Sequence, residues 1–170
     1  MADTTGFHVV RLEPHHILDL RPREMESEVL ALAQIEMGEL KTFAESVASA
    51  PIAYTALDGN QVVACAGIAK LHPGVGEAWS LMCQDLVPGK PSRKWVAVRQ
   101  AMRMGIESAF DTGYHRVQAT ISVHFPRADA WMRGLGLDNN GRAPHLLEQW
   151  GPDRSDHWLY AKTKEREDHV

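Results

Sequence analysis

The stretch Glu77-Ala78-Trp79-Ser80-Leu81-Met82-Cys83-Gln84-Asp85-Leu86 reads as a β-strand, and Val87-Pro88-Gly89-Lys90-Pro91-Ser92-Arg93-Lys94 follows it as a Pro/Gly/basic loop. Beyond the loop, Trp95, Val98, Met102, Ile106, Ala109 and Phe110 recur along one helical face, with Arg99, Gln100, Arg103 and Glu107 on the others. Ser92 is placed to cap this helix and Gly113 to end it. A second strand, Val117–Ile121, is expected to lie parallel to the first, because it is reached through a helical crossover. A shorter helix over Pro126–Gly134 closes the unit on Leu135-Gly136-Leu137. In such a β-loop-α-β-α unit the loop aims backbone amides, and the positive end of the helix dipole, at an anion.

Working outward toward the N-terminus, His72-Pro73-Gly74-Val75-Gly76 reads as the turn that feeds Glu77–Leu86. Before it, Ile52–Leu57 and Gln61–Lys70 flank Asp58-Gly59-Asn60, a hairpin signal, so three consecutive antiparallel strands are expected. Ala64, Ala66 and Gly67 are small for a strand, which implies that something packs closely on it. Earlier still, Met25, Val29, Leu32 and Ala33 recur at helical spacing over Pro22–Met37, with Glu24, Glu26 and Glu28 in its first turns. Gly38 is expected to break that helix, and Leu40, Phe43, Ala44 and Val47 form another that stops before Pro51. His8–Glu13 reads as a first strand ended by Pro14, and Pro14–Leu20 as a short helix or turn. Toward the C-terminus, Asp138-Asn139-Asn140-Gly141 reads as a turn, and Leu146–Trp150 and His157–Thr163 as two last strands around Gly151-Pro152.

The chain has 170 residues, a length that fits one domain over 1–170 with flexible ends at 1–7 and 164–170. A hydrophobic fraction of 44% and a charged fraction of 24% are those of an ordinary globular protein. The net charge of −4 gives no pull toward nucleic acid or anionic lipid, so neither is expected as a partner. No run is apolar enough to span a bilayer, and Met1–Gly6 has no secretory pattern; a cytoplasmic protein is expected. Cys65 and Cys83 each sit in an apolar strand-like run and are expected as buried free thiols. The histidines lack ligand spacing, and no metal site is expected.

The order β, α, α, β, β, β, α, β, α, β, β resembles the GNAT acetyltransferase superfamily over nearly the whole chain. The segment from Arg127 to Leu137, Arg-Ala-Asp-Ala-Trp-Met-Arg-Gly-Leu-Gly-Leu, looks like that family's A-x-x-L-Y-x-x-x-G-F pattern. The resemblance implies an α/β (α+β) three-layer fold: a mixed central sheet of about six to seven strands, splayed parallel central strands, and helices on both faces. It also implies acetyl-CoA as cofactor, lying in the splay. Its pyrophosphate would be held by the loop and helix start, here Leu86, Val87, Gly89, Ser92, Arg93 and Lys94, with His124 near where the family often has a cofactor-binding asparagine. Within the superfamily the chain is most similar to small GNAT-like proteins of tailed bacteriophages, the internal virion protein A-like group. That similarity rests on Leu20-Arg21-Pro22 with Glu26, Gly38, Trp79-Ser80-Leu81, Trp131 with Leu135-Gly136-Leu137, and Gly151-Pro152.

Two departures bear on function. The loop has the single glycine Gly89 where the family pattern, Q/R-x-x-G-x-G/A, has two small residues, and its prolines supply no N–H. The position where many members carry a tyrosine that protonates the departing thiolate is Met132, which has no proton to give. Tyr114 and Tyr160 sit elsewhere in the pattern. A general base should be a carboxylate or histidine reaching the acyl carbon from the central strands. Glu77 and Asp85 are the catalytic candidates, with His72 and His124 behind them. Each also has a structural reading: Glu77 and His72 as solvated turn residues, Asp85 as a loop cap. Two functions follow. One is an acyl-CoA-dependent N-acetyltransferase acting on an amine. The other is a non-catalytic virion, accessory or host-interaction protein on the same scaffold, found in the host cytoplasm or the virion and partnered by a phage or host protein.

Overall fold

In the computed structural model, which describes residues 6–20, 37–86, 92–125, 127–151 and 153–164, the Gly59-Asn60 tip joins strands β2 (Ile52–Asp58) and β3 (Gln61–His72) into the expected hairpin. A tighter turn at Pro73-Gly74, with Gly74 at φ 75°, returns the chain as β4 (Val75–Met82), antiparallel to β3. Strand β1 (Phe7–Arg11) pairs with β2 on the outer side.

Between β1 and β2 lie helix α1 (Pro14–Asp19) and helix α2 (Met37–Ala48). Gly38 does not break a helix as the sequence suggests; it is the second residue of α2. The helix expected over Pro22–Met37 falls, except for Met37, outside the described residues. At the end of helix α2 and in the turn after it, the Arg11 guanidinium donates to the oxygens of Ala48, Ala50 and Pro51. Of these, Ala48 O is a carbonyl that the helix C-terminus leaves without an intrahelical partner, and Ala50 and Pro51 belong to the turn that leads into β2.

Helix α3 (Arg93–Asp111) begins where the sequence places it: Ser92 Oγ accepts the amide of Trp95 at 3.1 Å, and Gly113, at φ 100°, follows the C-cap Thr112. Strand β5 (Arg116–Ser122) returns parallel to β4, and helix α4 (Ala128–Gly134) follows. Gly136 (φ 85°) ends α4 in a left-handed turn, its amide bonding Arg133 O at 2.9 Å and the Leu137 amide bonding Met132 O at 3.0 Å. That turn drops Leu135 and Leu137 into the core. Strands β6 (His145–Leu147) and β7 (His157–Thr163) complete a seven-stranded sheet of order β1-β2-β3-β4-β5-β7-β6.

The pleat sorts side chains to two faces. Thr55 of β2 meets His16 of α1 at 3.0 Å, so α1 covers one face; Ile52, of opposite parity, lies beneath Gly105 of α3, which covers the other. Helix α4 shares the α3 face, where Trp131 stacks on Trp95 with ring centroids 4.5 Å apart. Cys65 and Cys83 are both buried free thiols, and burial pushes the Cys65 thiol up to about 12. The small residues of β3 have their partner: the Trp79 indole lies over Gly67, where a Cβ would come within 3.0 Å of the ring.

Candidate functional site

Strands β4 and β5 pair only through Val75–Arg116, Gly76–Val117 and Glu77–Gln118. Beyond that last rung both strands continue, β4 to Met82 and β5 to Ser122, without pairing to each other. One edge of β4 from Ala78 to Leu81 therefore presents backbone N–H and C=O groups to the gap rather than to β5. The gap opens into a cavity of about 850 Å³, within the range of ligand pockets.

Residues from both faces of β4 line this cavity: Glu77, Trp79 and Leu81 from one, Ala78, Ser80 and Met82 from the other, so it passes through the sheet. On the α3 side it is walled by Val98, Met102, Trp131 and Met132. On the α2 side the walls are Phe43 and Val47, with Thr120, Ser122 and His157 continuing the floor.

Glu77 stands at the vertex of the splay. Half buried, it is held above the ordinary carboxylate range by desolvation, a shift partly offset by a hydrogen bond from the Thr120 hydroxyl on the facing strand. A carboxyl of this kind, in a cavity and shifted toward neutrality, suits proton abstraction from an amine. Asp85 is elsewhere: it lies exposed past the end of β4, accepts from Gln61 Nε2 at 3.4 Å, and does not line the cavity.

Of the positions expected to bind a cofactor, Leu86 is buried in the core, and Val87 and Gly89 lie outside the described residues. Ser92 spends its hydroxyl on the helix cap. Arg93 is exposed at the first turn of α3, while Lys94 is ion-paired to Asp58 at the β2–β3 tip. His124 lines the cavity at the far end of β5. His72 is exposed at the β3 end and outside the lining.

Met132 is buried in the cavity wall. Tyr160 lies beneath α4, outside that wall; its hydroxyl donates to Asp129 Oδ1 at 3.2 Å, and burial with the nearby Asp129 pushes it up to about 12. Tyr114 packs against Gly76, where a Cβ would meet its ring at 2.9 Å.

Sequence reasoning missed a polar group at the β7 end. Asp153, Ser155 and His157 line the cavity together with Ser122. The Ser155 hydroxyl and amide hold the Asp153 carboxyl below its ordinary range, the amide at 2.9 Å. Burial lowers His157, and its Nδ1 is buried without a hydrogen-bond partner among the described residues, as is Nε1 of Trp79.

No protein-family model and no curated protein matches the sequence. Solved structures do match in fold. A GNAT-family acetyltransferase from Bacillus anthracis superposes with a TM-score of 0.65 at 15% identity, covering 95% of this chain and 96% of its own. A Salmonella typhimurium protein solved with its cofactor acetyl-CoA gives 0.66 at 10% identity, over 96% of both chains. The Salmonella typhimurium acetyltransferase that modifies the N-terminal serine of a 50S ribosomal subunit protein gives 0.60 at 11%, over 95% and 96%. The mixed seven-stranded sheet with its helices is the GNAT α/β fold.

Proposed function

We propose that this chain is an acyl-CoA-dependent N-acyltransferase, with acetyl-CoA as the donor and Glu77 as the general base. The observation that carries the reading is the position of Glu77, at the last rung before the strands part and inside the cavity that the parting creates. The residues fit the donor: the edge of β4 from Ala78 to Leu81, which β5 does not pair, offers amides and carbonyls to the pantetheine arm, and Arg93 at the start of α3 offers a cation to phosphate. When bound, the donor supplies an acyl group as a thioester. Glu77 takes the proton from the amine as its nitrogen bonds to the acyl carbon and the carbon–sulfur bond breaks. Thr120 keeps the Glu77 carboxylate oriented for that transfer. Met132 leaves no side-chain acid at its position, so the chain would leave reprotonation of the leaving thiolate to water.

Calorimetry with acetyl-CoA tests the reading. Saturable binding is expected, and no heat at millimolar donor would sink it. A second reading is favoured by one observation, the methionine at position 132: a virion or accessory component of a bacteriophage that keeps the scaffold without turnover, in the particle or the host cytoplasm, bound to a phage or host protein. Mass spectrometry of purified particles and of tagged complexes tests that reading, and absence from both removes it.

A further inference from the structure

Resting on the acyltransferase reading, the charge inventory of the cavity names an acceptor class. We propose that the acceptor is an amine whose remaining structure is apolar and uncharged, and that amines bearing an acid group are rejected.

Among the described residues, the charged side chains that line the cavity are Glu77 and Asp153, both carboxylates; neither a lysine nor an arginine lines it. Four cations on the neighbouring elements, none of them a lining residue, are committed elsewhere. Arg11 caps α2, Lys94 pairs with Asp58, Arg116 donates to Gln118 Oε1 at 3.0 Å, and Arg133 pairs with Asp129 at 2.9 Å. The walls around Glu77 on its own face are Phe43, Val47, Trp79 and Leu81, each partly buried against the core. An acceptor carboxylate entering here would lose water, meet no lysine or arginine among the described lining residues, and face the Glu77 carboxylate, with the exposed carboxylate of Asp153 on the same lining. An aryl or alkyl amine would lay its hydrocarbon on those walls and present its nitrogen to Glu77.

The test uses a matched set, phenethylamine, phenylalanine amide and phenylalanine, with acetyl-CoA as donor and thiol release as the signal. The amine and the amide are expected to exceed the acid at least tenfold in kcat/KM. That ratio should shrink at high salt, and it should shrink several-fold in Asp153→Asn. Because the ratio compares two acceptors in one preparation, a loss of folded protein in the variant cancels. Equal or better use of the acid overturns the proposal. So does a ratio that neither salt nor Asp153→Asn moves, and so does failure of all three acceptors in a protein that binds acetyl-CoA. Failure to bind acetyl-CoA at all overturns the acyltransferase reading instead.

Discussion

Glu77 pairs with Gln118 across the last rung shared by β4 and β5, and from that pair outward the two strands diverge around a cavity. The base candidate is thus positioned by backbone register, on two strands buried in the sheet, rather than by a loop. Replacing Glu77 with Gln keeps the shape and removes the proton acceptor. The expected loss is about 10²–10⁴-fold in kcat/KM, the range for a general base. In the wild type, activity should rise with pH through a midpoint above that of an ordinary glutamate, because the deprotonated form is the active one. Burial raises the folded pKa of Glu77, so its contribution to stability is greatest at acid pH and is lost as pH rises through the folded pKa. Glu77→Gln should accordingly melt no lower than the wild type at neutral pH.

Thr120 supplies a side-chain contact across the splay. Thr120→Val removes a hydroxyl that favours the charged carboxylate and leaves desolvation unopposed. The ascending, acid-side limb of the pH–rate profile should move to higher pH, with the plateau reached later. A profile that stays in place would show that the hydroxyl has no hold on the base.

Gly67 is the seat of the Trp79 ring. A Cβ there would stand 2.6 Å from Ile52 O and 3.0 Å from the indole. The backbone oxygen cannot swing aside as a side chain can. Gly67→Ala should cost about 1–3 kcal/mol, as overpacking of a tight interior does, and thermal denaturation measures it. The indole that walls the cavity should shift with it, changing Trp fluorescence before unfolding begins.

How much of this was legible in the sequence depends on which forces act locally. The helix from Arg93 was readable because its apolar spacing and its serine cap are nearest-neighbour effects. Glu77 was found by type but read as a solvated turn residue, because Val75-Gly76 looked like part of the turn. In fact Gly76 is a strand glycine, required because Ile68 and Tyr114 occupy the space of its side chain. Those two residues are distant in sequence, so the reason for the glycine is invisible there. Asp153 and His157 were missed for the same cause: β7 runs antiparallel to β5 and brings His157 opposite Ser122, and no spacing in the chain reports that register. The strand expected to run to Leu86 ends at Met82, so Asp85 falls past it and outside the cavity lining, because the run of apolar residues does not report where pairing stops.

His16 adds a pH dependence unrelated to chemistry. Its ring is buried, its Nδ1 meets the Glu13 amide at 3.1 Å and Thr55 Oγ1 at 3.0 Å, and burial lowers its pKa. The folded state therefore binds fewer protons than the unfolded chain, and stability contributed above the unfolded pKa is lost as pH falls through the folded one. His157, shifted the same way, adds to the trend. Melting temperature should drop as the solution is taken from neutral to mildly acid, and the drop should be smaller in His16→Asn. An equal drop in both would remove His16 from the account.

The Trp95–Trp131 stack joins the first turn of α3 to α4 at the cavity wall. Two indoles held this close share their electronic excitation, so the pair should produce an exciton couplet in circular dichroism that neither ring gives alone. The protein then carries its own optical gauge of the site. Any occupant that parts α3 from α4, even slightly, is read from the amplitude of that band without a label, a substrate or turnover.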